Sequence, residues 1–315
     1  MSTKESKPNL SHSQVTEIIN YDDQNFYVTP HHNITVIELQ THAMNVLHQR
    51  GLPAQTALPT LTGKLMSLKE FDCGFDLQKY LVRLLTYLPG TTVAKITCSP
   101  QILYDVGKMA ATLDTALLQR ADLIWNLASV PLLNQYIHVM DGDLVQKVVK
   151  AVLEQYQIQV VPKLPLFRKC INHGDFNDHN LLVNPDGPTK YKISGILDFG
   201  DMSCGYFIFE LAITIMYMMI ENPNPVDVGG PVVAGWESVF PLNEAERDLL
   251  YLLVLCRFCQ SLVLARHAVI QQPEDEDYLM ITARTGVRHL CRLWELGKEE
   301  VERIWFQSAA QFGQP

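Results

Sequence analysis

Between Ile34 and Arg50 apolar residues fall at positions 36, 37, 39, 43, 44, 46 and 47, a helical period that stops at Gly51 and predicts an amphipathic helix. Before it, Leu10 to Ile19 reads as a short helix that Ser11 or Ser13 can cap, and the polar turn Tyr21 to Phe26 enters a strand at Tyr27-Val28. Strands are predicted around residues 58–69 and 78–85, the second ending at Pro89-Gly90. Ser99-Pro100 opens a helix through Leu118, with apolar residues at 102, 103, 106, 109, 110, 113 and 117. Leu144 to Gln157 is a further helical candidate. The period then changes: Leu181-Leu182-Val183 and Ile193 with Ile196-Leu197 give two short strands about the turn region Asn184 to Pro188. Beyond Gly205 the pattern is almost all helix, broken by a loop from Pro223 to Pro231. The apolar stretch Phe207 to Ile220 contains Glu210 and is too short to cross a bilayer, so it reads as a buried helix.

Composition adds bounds. With 315 residues and 47% hydrophobic content the chain can build two lobes and a sizeable core. A net charge of −9 argues against a nucleic-acid partner and suits a cationic substrate, although cytosolic proteins commonly carry such a balance. Seven scattered cysteines imply a reducing compartment. Cys256-Arg257-Phe258-Cys259 has C-x-x-C spacing but lies inside the apolar run Leu249 to Ala265 and lacks a second pair, so core packing is expected rather than zinc. Met1 to Asn9 has no apolar h-region, and a cytoplasmic protein without a membrane partner is expected.

The chemistry concentrates in Asn172-His173-Gly174-Asp175-Phe176-Asn177-Asp178-His179-Asn180 and in Gly195-Ile196-Leu197-Asp198-Phe199-Gly200. A kinase needs a carboxylate that orients the acceptor and oxygen ligands for the magnesium that bridges nucleotide phosphates. Asp175 fits the first role, Asn180 and Asp198 the second. The five-residue step from Asp175 to Asn180 lets one short loop aim at both acceptor and metal, and Asp198 approaches from the following hairpin. His173 is expected to brace this loop rather than to move a proton.

These residues resemble the aminoglycoside phosphotransferase and choline kinase-like group, whose catalytic loop has H-G-D where protein kinases have H-R-D. Tyr21 to Phe26, Tyr80 to Gly90, Ile171 to Asn180, Gly195 to Gly205, Ala212 to Glu221, Arg257 to Leu262, Asp277 to Met280 and Glu302 to Phe306 narrow the resemblance to the vertebrate hydroxylysine kinases. It implies an α+β, protein kinase-like fold of two lobes, a small antiparallel-sheet lobe over residues 1–88 and a mainly helical lobe over 89–315. It further implies GTP as phosphate donor, Mg2+ as the metal, and the 5-hydroxyl of free hydroxylysine, a small-molecule amino acid, as acceptor. Tyr21, Asp22, Gln24 and Asn25 then cover the nucleotide phosphates, and Thr86, Tyr87 and Leu88 take the place of the kinase linker that receives the purine edge. Related kinases acting on choline, ethanolamine or homoserine are the alternative, as is a non-catalytic relative.

Because the acceptor must sit beside Asp175, Asp178, Asp201, Glu210 and Glu221 are candidates for its amino groups, and Arg257 or Arg266 for its carboxylate. Glu210 can equally brace the catalytic loop, and Asp201 can cap the turn after D-F-G. Glu274 to Asp277 reads as a solvated surface run.

One departure stands out. Glu38 matches the helix glutamate that kinases pair with a phosphate-holding lysine, yet no lysine occurs between Lys7 and Lys64, and the strand that should carry it has shrunk to Thr29-Pro30-His31-His32-Asn33. The segment before Tyr21 is also short. Three explanations apply: a form lacking a stretch of the family's sequence, a kinase using Arg50 or another cation, or an inactive relative.

Overall fold

The computed structural model describes residues 16–20, 24–30, 34–72, 77–115, 126–143, 145–271, 273 and 276–312, and these belong to two compact units, Met1–Pro89 and Gly90–Pro315. In the first unit the stripe predicted at 34–50 is helix α1 (Ile34–Gln49), stopped by Gly51 at φ +83°. Ile37, Ala43, Met44 and Leu47 are its buried face, while Leu39 turns outward. Strands β1 (Thr16–Asn20), β2 (Gln24–Pro30), β3 (Ala57–Leu58), β4 (Ser67–Asp72) and β5 (Leu77–Thr86) form one antiparallel sheet. β5 is its hub, with β2 along one edge from Gln24↔Thr86 to Pro30↔Tyr80, and β3 and β4 on the other.

Two expectations are corrected here. Residues 16–19 are strand, because Thr16, Ile18 and Ile19 favour extended backbone and pair along β2; Leu10 to Val15 lie outside the described residues. The strand expected at 58–69 is split by a turn in which the Thr60 amide donates to the Lys64 carbonyl and Gly63 takes φ +78°, so pairing resumes only at Ser67.

Leu81, Arg83 and Leu85 alternate onto the face of β5 that meets α1, and all three are buried. Arg83 satisfies its charge on the helix, donating to Thr41 Oγ1 at 2.9 Å and Gln40 Oε1 at 3.2 Å. Glu38 points to solvent instead. In the sheet β2 pairs directly with β5, and along the chain no strand is found among the described residues between β2 and α1, the stretch in which the sequence predicted a shrunken one.

The second unit opens with β6 (Thr91–Thr92) and α2 (Pro100–Asp114). Ser99 caps α2 by accepting from the Ile102 amide, with Pro100 at the first helical position, as read from sequence; residues 116–118 lie outside the described part. Helix α3 (Gln146–Gln155) follows, starting two residues later than expected, with Leu144 outside the described residues. Then come β7 (Lys169–Asn172), β8 (Leu181–Pro185), β9 (Tyr191–Ile196) and β10 (Ser203–Tyr206). β8 pairs with β9 and β6, and β7 pairs with β10, so two small antiparallel ladders frame the H-G-D loop.

Helices α4 (Phe207–Ile220), α5 (Gly229–Glu237), α6 (Glu244–Gln271), α7 (Glu276–Leu279) and α8 (Ala283–Phe312) complete the unit. The expected 223–231 loop is shorter, because Pro231 sits in the first turn of α5, where a proline loses no hydrogen bond. α2 packs closely on α5: a Cβ on Gly107 would fall 2.0 Å from the Val232 carbonyl oxygen, and one on Gly235 1.8 Å from that of Tyr104. α6 is long and apolar enough to cross a membrane by length and composition, but it is buried against α4 and α8 as the core of the unit. Cys256 and Cys259 are free thiols wholly buried within it, as core packing requires.

Candidate active site

The catalytic loop is the link between β7 and β8, and its shape is set by a buried polar layer. His173 is fully buried; its Nε2 faces the Leu197 carbonyl at 2.9 Å and its Nδ1 faces the Asp175 amide at 3.4 Å. Those neighbours require the proton on Nε2, so the ring ties the loop to the β9 end and holds Phe176 and Phe199 edge-on and tilted against it. Gly174 has φ +84°, and a Cβ there would lie 2.3 Å from the Asp201 carbonyl oxygen. Only glycine admits that approach.

Beneath the loop, Gly174 donates its amide to Glu210 Oε2 at 3.1 Å. Asp114 Oδ2 receives Asn172 Nδ2 at 3.0 Å and Cys170 Sγ at 3.4 Å. Asp114 Oδ1 and Glu210 Oε1 are buried and, among the described residues, neither receives a donor; the two carboxyls act on each other, and one proton shared between them satisfies both. Burial, then the Glu210 charge, hold Asp114 well above the carboxylate range. Burial also raises Glu210, while His173 and the Gly174 amide oppose it. Glu210 is therefore a brace, the alternative left open by the sequence. Asp114 was missed there; its signal was an acid on the apolar face of α2.

Asp175 is held by three donors. Arg257 Nη2 reaches Oδ1 at 3.3 Å, and Asn177 Nδ2 and Asn180 Nδ2 reach Oδ2 at 2.8 and 3.1 Å. Arg257 was expected to meet a substrate carboxylate. It is instead completely buried on α6, donating to the Gly174 carbonyl at 3.1 Å, Tyr217 Oη at 3.0 Å and Gln260 Oε1 at 2.9 Å. A guanidinium enclosed in this way orients the loop from behind. Arg266, the other cation considered, pairs with Asp143 at 2.5 Å.

Asn180 also gives its Nδ2 to the Asp175 carbonyl at 3.0 Å, so its Oδ1 is the atom left for a cation. Asp198 takes a left-handed conformation, φ 52°, and spends Oδ1 on the Gly200 amide at 3.0 Å, leaving Oδ2 exposed. A non-glycine residue in that region is strained, and here the strain aims a carboxylate out of the turn. Two hard oxygen donors on adjoining loops fit magnesium, which completes its shell with waters and phosphate oxygens rather than an all-protein cage. Among the described residues no group of three or more His, Cys, Asp or Glu side chains forms such a cage.

The remaining expected residues divide. Asp201 is half-buried with its carboxyl pushed up to about 7 by burial, Asp175 and Asp198 adding to the push and Arg257 opposing it. Asp178 is buried and lines a cavity together with Glu221. Gln24 and Asn25 lie at the start of β2, while Tyr21 and Asp22 lie outside the described residues. Thr86 gives its amide to the Thr56 carbonyl at 2.9 Å and its carbonyl accepts Gln55 Nε2 at 3.1 Å, so of the linker segment Tyr87 and Leu88 are the less committed; Tyr87 is half exposed.

Residues 26–242 match a family model described as the phosphotransferase enzyme family. The chain is 73% identical over 354 aligned residues, covering all of both sequences, to a Danio rerio protein named hydroxylysine kinase. It is 45% identical to the Xenopus laevis protein of that name over 97% of this chain and 96% of the other, and 43% identical to the Bos taurus one over 96% and 90%. The Danio rerio alignment runs to 354 positions against 315 residues here, so stretches of that relative have no counterpart in this chain. Among solved structures, a microcompartment-associated aminopropanol kinase aligns with a TM-score of 0.67 at 16% identity, covering 94% of this chain and 93% of its own. Amicoumacin kinase, solved with AMP-PNP and Ca2+, aligns with a TM-score of 0.60 at 15% identity over 87% and 89%. These two share the α+β kinase-like fold.

Proposed function

The chain belongs to the phosphotransferase enzyme family, and on that footing we propose that it transfers the γ-phosphate of GTP to the 5-hydroxyl of free 5-hydroxy-L-lysine, giving 5-phosphohydroxylysine. The relatives' shared name and their coverage of almost the whole chain support the acceptor. The observation that carries the reaction class is the triple clamp on Asp175. With Oδ1 on Arg257 and Oδ2 on two asparagine amides, the carboxylate is fixed before the acceptor arrives. It then orients the substrate hydroxyl and takes its proton as the new P–O bond forms. Asn180 and Asp198 would hold magnesium; bound there, it supplies charge neutralisation on the phosphates.

Nucleotide stabilisation tests this reading. Saturable thermal stabilisation by GTP with magnesium, exceeding that by ATP, is expected. No stabilisation by either at millimolar concentration contradicts it.

One observation favours a second reading. β2 pairs directly with β5, and the sequence offers no lysine where the family holds the phosphates. A chain that keeps the acceptor site without holding nucleotide productively would bind the amino acid but show no such stabilisation.

A further inference from the structure

Next to the catalytic loop, within the second unit, is a cavity of about 130 Å³ lined by Val93, Ala94, Cys98, Asp178, Met218 and Glu221, among others. It approaches the size of the engineered apolar cavity of about 150 Å³ that holds benzene, and so has room for a short alkyl chain. Its walls are not purely apolar. Asp178 belongs to the catalytic loop three residues after Asp175, is only 7% exposed, and lines this space. Among the described residues no other side chain hydrogen-bonds or ion-pairs with its carboxyl. Of the loop's amides, the backbone N–H of Asp178 itself serves the Asp178 carboxyl, while the side-chain amides of the neighbouring asparagines go elsewhere: Asn177 and Asn180 serve Asp175, and the Asp178 carbonyl takes the Ala94 amide at 3.0 Å. Glu221, at the end of α4, is exposed at the same cavity and likewise unpaired among the described residues.

A buried carboxyl with no cation is costly to the fold. An incoming cation relieves that cost.

We propose that this cavity is the ammonium subsite of the acceptor, with Asp178 inside and Glu221 at the mouth binding a protonated primary amine while its methylenes lie on Val93, Ala94 and Met218. The inference rests on the proposed amino-acid acceptor and assigns its recognition: of the acidic residues around Asp175, Glu210 braces the loop, and Asp178 with Glu221 selects the substrate. The subsite excludes acceptors without a positive charge, since they would leave Asp178 buried and unpaired.

The test uses the full chain as wild type, Asp178→Asn and Glu221→Gln, with two readouts. In turnover of 5-hydroxylysine, each variant is expected to raise KM tenfold or more with kcat within about threefold of wild type. In calorimetric titration, n-butylamine, which carries the ammonium alone, is expected to bind wild type saturably and each variant at least tenfold more weakly. Unchanged KM, butylamine binding equal in all three, or no butylamine binding to wild type overturns the subsite. Saturable butylamine binding lost in the variants, without turnover of 5-hydroxylysine, upholds the subsite and removes the substrate reading instead. Thermal midpoints separate this from a structural role: Asp178→Asn is expected to match or exceed wild type, whereas a scaffold residue would lose stability.

Discussion

Arg257 Nη2 touches Asp175 Oδ1 at 3.3 Å while holding the Gly174 carbonyl at 3.1 Å, so one buried guanidinium fixes both the turn and the carboxylate of the catalytic loop. Removing it strands Asp175, Tyr217 and Gln260 around an empty space. Arg257→Met is expected to cost on the order of 3 kcal/mol in urea denaturation. Arg257→Lys keeps the charge but cannot span the fork, so a smaller loss of stability with at least tenfold lower kcat is expected.

The carboxyl pair behind the loop predicts a pH effect. Asp114 is raised in the folded state, so the fold keeps a proton that the unfolded chain releases above about pH 4. Its contribution is therefore full below that pH and falls as pH rises toward the raised value. Asp114→Asn imitates the protonated acid: its oxygen accepts from Asn172 and Cys170, and its amide can donate to Glu210. Denaturation at pH 6 and pH 9 should show the wild type losing stability at the higher pH by more than the variant does.

Gly174→Ala places a methyl group 2.3 Å from the Asp201 carbonyl oxygen in a backbone conformation that L-residues avoid. The left-handed conformation alone costs about 1–2 kcal/mol, and the clash adds to it. Loss of most turnover together with a lowered thermal midpoint is expected; a variant as stable and active as wild type would mean that the loop is not held in this shape.

Asp198 leaves one oxygen exposed for metal, whereas Asn180 is also tied to Asp175. Asp198→Asn should raise the magnesium concentration for half-maximal activity at least tenfold with little change in stability. Asn180→Ala should lower both activity and stability, because it removes two hydrogen bonds that shape the loop. Chelation with EDTA should abolish turnover in the wild type.

Much of this was legible in the sequence. The period of α1, the Ser99-Pro100 start of α2 and the β8–β9 hairpin follow from local pattern, and Asp175, Asn180 and Asp198 announce themselves by type and spacing. What lay beyond reach depends on contacts between residues distant in the chain. Arg257 looked like a carboxylate ligand because sequence does not show that α6 buries it behind the loop. Asp114 was passed over inside the helix predicted through Leu118, since its meaning comes from Glu210, nearly a hundred positions away. Strand β1 was mistaken for a helix because its pairing along β2, rather than its own period, decides its conformation.

The most direct test of the central claim is GDP formation from GTP by the purified chain in magnesium buffer, with and without 5-hydroxylysine, beside Asp175→Asn. The account predicts GDP formation that depends on 5-hydroxylysine and falls by roughly 10² to 10⁴ in a variant that remains folded. Turnover retained in Asp175→Asn, or GDP formation indifferent to the amino acid, would contradict it.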